Sequence, residues 1–368
     1  MTEPFFTNDA IVFAILMLSL GFVFYTESKT SGFWHKFYKI VPGLFMAYFI
    51  PAIFTTLGII APEWESTTNT GEVVKGSSNL YYVSSRFLLP AALVLMTLSI
   101  NLKAVFNLGS KALIMFFTGT VGIIIGGPIA ILLISLVSPE TVGGADFDAV
   151  WRGLSTLAGS WIGGGANQTA MLEIYKYNPA KYGGMVFVDI VIANIWMAIL
   201  LIGIGKKDRI NKWLGADTSA IEDLKDKVST FTEKVKRTPT LTDFIMILSI
   251  GFVTVGFGHF AAGYLAPYFE SLVAGFESNT TRNIFTFLGS EFFWLISIST
   301  IIAIILSYTK AKNYEGAGAS KIGSVFIYVL VATIGMKMDL GMIFDNIGLI
   351  AIGAVWMTIH AVLLILVA

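Results

Sequence analysis

Residues 112–138 read ALIMFFTGTVGIIIGGPIAILLISLVS and contain no charged side chain. A helix needs about 20 apolar residues to cross the hydrocarbon core of a bilayer, and this stretch is longer than that. The chain has nine further apolar stretches of this kind, namely 10–26, 40–61, 84–102, 153–172, 183–204, 243–268, 284–308, 322–340 and 346–368. One such stretch could form a buried helix of a soluble protein, but ten in succession predict an all-α, polytopic membrane protein.

The composition of the chain agrees with a protein embedded in lipid. Hydrophobic residues make up 55% of the 368 residues and charged residues only 13%, whereas a soluble domain has about 25% charged residues. Lysine plus arginine and aspartate plus glutamate balance at 24 each, so the net charge indicates no nucleic-acid partner. The chain has no cysteine and only three histidines, which disfavours a transition-metal site. We therefore expect no organic cofactor and no metal centre of that type.

A charged stretch, 205–242, divides the chain. It holds nine of the 24 lysines and arginines together with six acids, and we predict that it is a cytoplasmic linker. The residues before it, 1–204, are predicted to form a first transmembrane repeat. The residues after it, 243–368, are predicted to form a second repeat. The polar stretch 62–82 has few basic residues and is expected on the external side.

Two short matches relate the halves. LSLGFV at 18–23 recurs as LSIGFV at 248–253, and INLKAVFN at 100–107 matches MDLGMIFD at 338–345 in pattern. Duplicated halves are typical of secondary transporters, in which the binding site forms where the repeats meet.

The distribution of basic residues constrains the topology. The positive-inside rule places Lys29, Lys36, Lys39 and the linker in the cytoplasm. Five apolar segments lie between these loops, and an odd number of crossings would put the loops on opposite sides. Either one segment does not cross completely, or the rule fails at one loop. We favour the first explanation with 153–172 as the incomplete crossing, which makes the repeats inverted.

The most informative stretch is LAGSWIGGGANQT at 157–169. Three consecutive glycines disfavour a continuous helix by about 1 kcal/mol each relative to alanine. Unwound backbone at membrane depth persists only where protein or an aqueous cavity satisfies its polar groups. A helix-packing face would explain the glycines but not the clustered polar side chains. We predict a substrate or ion site formed by Ser160, Gly163, Gly164, Gly165, Asn167, Gln168 and Thr169.

Ionisable residues within apolar segments extend this predicted site. Asp189 lies in the next segment, with Asn194 shortly after it, and intramembrane carboxylates are usually functional. Asp189 could exchange Na⁺ or H⁺ during transport, or it could be a hydrated or structural hydrogen-bonding residue. Glu291 is a second candidate acid, although it could also lie at the membrane interface. Arg86 opens the third segment and is expected to extend to the lipid headgroups.

Motif searches narrow the function class. The chain lacks the phosphate-binding loop of ATP-driven pumps and the HExxH and GxSxG motifs of common hydrolases, so we do not expect an enzyme. We predict an ion-coupled secondary carrier for a small organic, anionic or zwitterionic solute, with Na⁺ or H⁺ as the coupling ion. A cation/proton antiporter, a channel and a membrane-embedded enzyme or receptor are the alternatives. The expected partners are the solute and the lipid bilayer, and the sequence leaves open whether the carrier is a homodimer.

The segment GSWIGGGAN at 159–167, followed by Asp189 and by NIWMA at 194–198, resembles the domain of unknown function 819 (DUF819) family of bacterial membrane proteins. The resemblance extends over the whole chain. It implies membership of the cation:proton antiporter and anion transporter superfamily, with inverted repeats, discontinuous helices and a location in the bacterial inner membrane. Family members have a second glycine-rich broken helix with an Ala-Thr-Ala-Pro-like stretch, which this sequence lacks. The repeat register would place it after residue 368, so we expect the natural chain to continue.

Overall fold

The computed structural model describes residues 3–67, 73–98, 100, 110–204, 237–344 and 346–368, and this part of the chain is mostly helical. Its helices are α1 (Asp9–Glu27), α2 (Gly32–Phe37), α3 (Gly43–Thr56), α4 (Leu80–Val83), α5 (Leu89–Thr97), α6 (Ser110–Ser135), α7 (Val150–Gly163), α8 (Gly165–Tyr175), α9 (Tyr182–Ile204), α10 (Leu241–Ala274), α11 (Asn279–Phe285), α12 (Glu291–Ser307), α13 (Ala319–Lys337) and α14 (Gly348–Val367). A π-helical turn, Ser84–Leu88, joins α4 to α5. Strands β1 (Glu63–Thr67) and β2 (Val73–Ser77) form an antiparallel pair.

Six of the described helices are long and apolar enough to cross a membrane: Asp9–Glu27, Leu80–Thr97, Ser110–Ser135, Leu241–Ala274, Ala319–Lys337 and Gly348–Val367. A seventh is obtained if α12 and the following 3₁₀ turn, Lys310–Ala317, count as one span bent by 94°. The predicted number of ten complete spans is therefore not confirmed, although each predicted segment contains helix. The helix in predicted segment 40–61, for example, starts after Pro42, has only 14 residues and is followed by Gly58 at a φ of +70°.

Contacts between helix ends place several of them at one face, which we call the near face. Ser78 Oγ donates to Asp9 Oδ1 at 2.6 Å, and the Phe5 amide donates to the Gly58 carbonyl at 2.9 Å. The start of α1, the end of α3 and the start of α4 therefore meet at this face. The opposite face, reached by the end of α1, is called the far face.

Further contacts extend the near face to the second half of the chain. The Lys337 ammonium lies 4.3 Å from the ring centre of Tyr81, and the Asp339 amide donates to the Ala180 carbonyl at 3.1 Å. Asn346 Nδ2 donates to the Thr141 carbonyl at 3.0 Å. The end of α13, the start of α9, the start of α14 and the residues after α6 therefore lie together.

The helix bundle is closely packed where small residues face large ones. Trp356 on α14 donates from Nε1 to the Ile123 carbonyl of α6 at 2.8 Å. A Cβ atom at Gly126 would lie 2.6 Å from the Trp356 ring, so glycine at this position allows α6 and α14 to approach. Helix α13 is the most buried of the described spans and packs against α3 and α5.

Some predicted features lie outside the described residues. These are residues 205–236 of the linker, residues 101–107 of the second repeat match together with its partner residue 345, and residues 68–72 of the polar stretch at 62–82. The domain boundaries derived from the sequence remain predictions.

Candidate functional site

Helices α7 and α8 form a hairpin whose tip is Gly164. Gly164 has φ +85° and ψ −177°, a backbone conformation that is essentially restricted to glycine. At the other end of the hairpin, Arg152 Nη1 donates to the Tyr175 carbonyl at 2.5 Å. A Cβ atom at Gly159 would lie 2.8 Å from the Asn167 carbonyl oxygen, so the two helices run back along each other. The break predicted at the three glycines is thus found at the middle one.

Both ends of this hairpin lie at the near face. The backbone amide of Asn178, which follows α8, donates to the carbonyl of Phe147, which precedes α7, at 2.9 Å. Helix α7 has 14 residues, which correspond to about 21 Å, less than the roughly 30 Å of the hydrocarbon core. The hairpin therefore enters the bundle from one face and returns to it, with its tip inside.

The hairpin changes the number of crossings between the two basic loops. After α1 the chain is at the far face. It then passes between the two faces four times, in α3, α4–α5, α6 and α9, and α9 ends at the far face. Helices α7 and α8 together start and end at the near face. These four helices place the basic residues 29–39 and the end of α9 at the same face of the bundle. This is the arrangement that the positive-inside rule requires.

Asp189 on α9 accepts two hydrogen bonds from the end of α7. Ser160 Oγ donates to Oδ2 and Trp161 Nε1 donates to Oδ1, both at 2.7 Å. Asp189 is the eighth residue of α9, about 10 Å along the helix from the near face. Within the described part of the chain no lysine, arginine or histidine forms an ion pair with this carboxylate.

Further polar groups near Asp189 lack hydrogen-bond partners. Gln168 is 2% exposed and its side chain interacts with Asp189, but its Nε2 forms no hydrogen bond of standard geometry among the described residues. The hydroxyls of Tyr48 and Tyr182 are likewise buried without a bond of standard geometry, and the two rings lie 6.0 Å apart. Both hydroxyls are close to Asp189, and that of Tyr48 is also close to Thr169. A buried unsatisfied polar group costs about 1–3 kcal/mol, so packing alone does not explain this cluster.

The other predicted site residues differ in whether they lie near Asp189. Thr169 is fully buried and bonds back to the Gly165 carbonyl at 2.9 Å. The side chain of Asn167 occupies the position that a Cβ of Gly163 would take at the hairpin tip. Asn194 is exposed and donates to the Ile190 carbonyl of its own helix at 2.8 Å. The hairpin and α9 therefore bring Ser160, Gln168, Thr169 and Asp189 together, whereas Asn194 faces away.

Glu291 lies in a second region, a cleft of about 1010 Å³ at the near face between α8, α4, α10 and α12. Arg86 Nη1 and Glu173 Oε2 form an ion pair of 2.7 Å in this cleft, and the Tyr81 hydroxyl donates to the other oxygen of Glu173. The Glu173 side chain is only 8% exposed. The expectation that Arg86 extends to the lipid headgroups is therefore wrong, because a buried carboxylate within the bundle pairs with it.

Sequence reasoning missed Glu173, Tyr48 and Tyr182. Glu173 lies one residue beyond the predicted segment 153–172, so it was not counted as an intramembrane acid. Its opposite charge to Arg86 is a signal that could have found it. No comparable signal marks the tyrosines, because tyrosine is common near membrane interfaces.

The base of the hairpin is held by surface electrostatics. Lys181 Nζ lies 2.8 Å from Asp148 Oδ2, and Asn178 Nδ2 donates to Asp148 Oδ1 at 2.7 Å. The bond from Lys181, and to a smaller extent the bond from Asn178, hold the pKa of the Asp148 carboxyl below its usual range. Asp148 precedes α7 and both partners follow α8, so the charge pair fixes the two ends of the hairpin to each other.

Comparison with known proteins adds a family assignment. The family described as "Protein of unknown function (DUF819)" matches residues 14–368. A curated relative is the "Uncharacterized membrane protein YjcL" of Bacillus subtilis (strain 168), which is 23% identical over 323 residues, covering 86% of this chain and 71% of that protein. No solved structure matches the chain. The family match includes the hairpin, α9 and every residue that lines the near-face cleft.

Proposed function

The chain belongs to the DUF819 family and is a multi-pass membrane protein, and we propose that it is a secondary active transporter of a small organic, anionic or zwitterionic solute. Coupling to Na⁺ or H⁺ is assigned to Asp189. The observation that carries this proposal is the contact of Asp189 with the hairpin near its tip, since this carboxylate lies inside a membrane bundle without a cationic partner among the described residues.

The energetics of Asp189 favour a coupling role over a structural one. An unpaired carboxylate within a bilayer is expensive, and such residues usually mark ion pathways or proton relays. Neutral donors from Ser160 and Trp161 hold the carboxylate in place but do not cancel its charge. A proton or Na⁺ can therefore neutralise Asp189 when the site is occupied, and its release restores the charge.

The direction of the helices supports a carrier architecture. The first repeat match lies on α1, which runs from the near to the far face, and on α10. The Arg237 backbone amide, before α10, donates to the Gly316 carbonyl, before α13, at 3.1 Å. Because α13 ends at the near face, α10 starts at the far face and runs in the opposite direction to α1. Opposite directions are what inverted repeats require, and alternating access in such proteins arises from motion of one repeat against the other. The N-terminus of α8 at the hairpin tip also favours a solute that carries an anionic group.

The charge movement at Asp189 can be tested before the solute is known. We would reconstitute the protein in proteoliposomes on a solid-supported membrane and apply Na⁺ or pH jumps. The wild type is expected to give a transient current, and Asp189→Asn is expected to reduce it to background. Glu277→Gln is a matched control, because Glu277 is an exposed acid on a loop after α10.

The outcomes separate the alternatives. An Asp189→Asn current equal to that of the wild type would contradict the coupling role. Continued Na⁺ or H⁺ flux into the proteoliposomes, followed with an ion-sensitive dye in suspension, instead of a bounded charge movement would identify a channel. Proton movement driven by a Na⁺ jump without any organic solute would favour a cation/proton antiporter, which uses the same carboxylate.

A further inference from the structure

The near-face cleft contains a cation that the structure holds in a fixed orientation. Arg86 is on the π-helical turn between α4 and α5, a local irregularity often found at functional sites. Its guanidinium pairs with Glu173 and lies 4.6 Å from the ring centre of Phe292. His259 on α10 contacts the backbone of the same residue, with Nε2 at 3.0 Å from the Arg86 carbonyl oxygen. Helices α8 and α12 therefore hold the Arg86 side chain, and α10 contacts its backbone.

Arg86 keeps binding capacity toward the cleft. A guanidinium has five N–H donors, and Glu173 uses the Nη1 group. The Arg86 side chain is 30% exposed even though its partner is almost fully buried. Because Glu173 accepts from Tyr81 at one oxygen and from Arg86 at the other, it orients the guanidinium without enclosing it.

An opposite charge lines the same cleft. Glu291 is the first residue of α12, directly before Phe292, and it is exposed. It is close enough to Arg86 for the two charges to interact, yet they form no ion pair. Glu291 also forms no ion pair with any other residue in the described part of the chain. A fixed cation and an exposed carboxylate thus line the same cleft without pairing with each other.

We propose that this cleft binds an amino-acid-like zwitterion, with the ligand carboxylate on Arg86 and its ammonium group on Glu291. The inference rests on the proposed function, since it names the solute class and the near-face site of a carrier. An α-amino acid carries its two charges close together, which suits adjacent protein charges that do not touch. Tyr82 and Phe147, both more than half exposed on the cleft wall, offer surface to an apolar side chain.

Binding can be measured on the detergent-purified protein without any ion gradient. The probes are L-alanine, L-phenylalanine and L-alanyl-L-phenylalanine at millimolar concentrations, each compared with the analogue that lacks the ammonium group and the analogue that lacks the carboxylate. A bound ligand raises the melting temperature by mass action. We expect at least one zwitterion to bind, and both of its truncated analogues to bind about tenfold or more weakly, because each loses a charged hydrogen bond.

Two variants test which protein side chain binds which charged group of the ligand. Glu291→Gln should bind the zwitterion and its ammonium-free analogue equally, and it should fold because Glu291 is exposed. Arg86→Lys keeps the charge but loses the planar guanidinium group, so it should weaken the binding of every ligand that has a carboxylate. The inference is overturned if none of the three zwitterions binds the wild type, or if Glu291→Gln retains wild-type selectivity.

The variant Asp189→Asn separates this inference from the proposed function. It should retain equilibrium binding in the cleft while losing the ion-driven current. Loss of selectivity for the zwitterion in Glu291→Gln together with a normal current in Asp189→Asn would remove the coupling role and leave the binding site in place. The reverse pattern would remove the binding site and leave the coupling role.

Discussion

Glu173 and Asp189 are both carboxylates within the helical bundle, and the protein satisfies them in different ways. Glu173, near the base of the hairpin, has an arginine at 2.7 Å and a tyrosine hydroxyl on its other oxygen. Asp189, nearer the tip, accepts from the neutral donors Ser160 and Trp161 and has no cationic partner among the described residues. A carboxylate paired with arginine is compensated by a permanent positive charge, whereas one held by neutral donors is not. The hairpin therefore contacts an arginine-paired carboxylate at its base and, near its tip, the carboxylate to which we assign the proposed coupling role.

The largest stability effect is expected from breaking the fixed pair. Arg86→Met removes the cation and leaves Glu173 charged and buried, which typically costs about 3–5 kcal/mol. The melting temperature of the detergent-purified protein should fall sharply. Asp189→Asn removes a charge that has no such partner, so its melting temperature should stay near that of the wild type.

A double variant tests whether the charge or the packing is responsible. Arg86→Met combined with Glu173→Gln leaves no uncompensated charge, and the amide oxygen introduced by the second substitution could still accept from Tyr81. Replacing both members of a buried pair is often close to neutral, so most of the lost stability should return. If the double variant is as unstable as Arg86→Met alone, the cation contributes through its contact with Phe292 and not through the pair.

A smaller effect is expected at the tip that separates α7 from α8. Gly164→Ala would meet no atom within 4 Å, so any cost arises from the backbone conformation at φ +85°. Such strain costs about 1–3 kcal/mol for a non-glycine residue. Gly256→Ala is the matched control, because its Cβ also enters open space but lies in the regular helix α10. Equal melting temperatures for the two variants would show that the tip is not held in the glycine conformation.

Sequence patterns predicted the features that depend on local chemistry. Lipid excludes charge, so every apolar segment contains helix, and the glycines at 163–165 marked the break in the correct place. The basic loops indicated that 153–172 is an incomplete crossing, but the hairpin itself depends on Arg152 meeting Tyr175, two residues from different helices, which no local pattern predicts. Tyr48 and Tyr182 reach the Asp189 cluster from α3 and from the start of α9, and no spacing in the sequence indicates that proximity.

The smallest effect on stability is expected at a third acid, Asp148, because it is paired at the surface instead of within the bundle. Its side chain is 43% exposed, and its hydrogen bonds to Lys181 and Asn178 lower its pKa. A carboxylate whose folded pKa is below its unfolded value stabilises the fold above the unfolded pKa and loses this contribution as the pH falls through the folded one. Solvent screening limits an exposed pair to about 0.2–1 kcal/mol.

Asp148→Asn should therefore lower the melting temperature slightly at neutral pH, and the difference from the wild type should shrink in the acid range, where the wild-type carboxyl is protonated. Thermal unfolding of both proteins across this pH range measures the effect, with Asp146→Asn as a control at an exposed acid of the same turn that has no ion pair among the described residues. The hairpin base joins residues on either side of α7 and α8, so the same substitution should also increase amide hydrogen exchange at Asn178, whose backbone bonds to Phe147. A difference that stays constant with pH would mean that Asp148 acts through its neutral hydrogen bond to Asn178 alone.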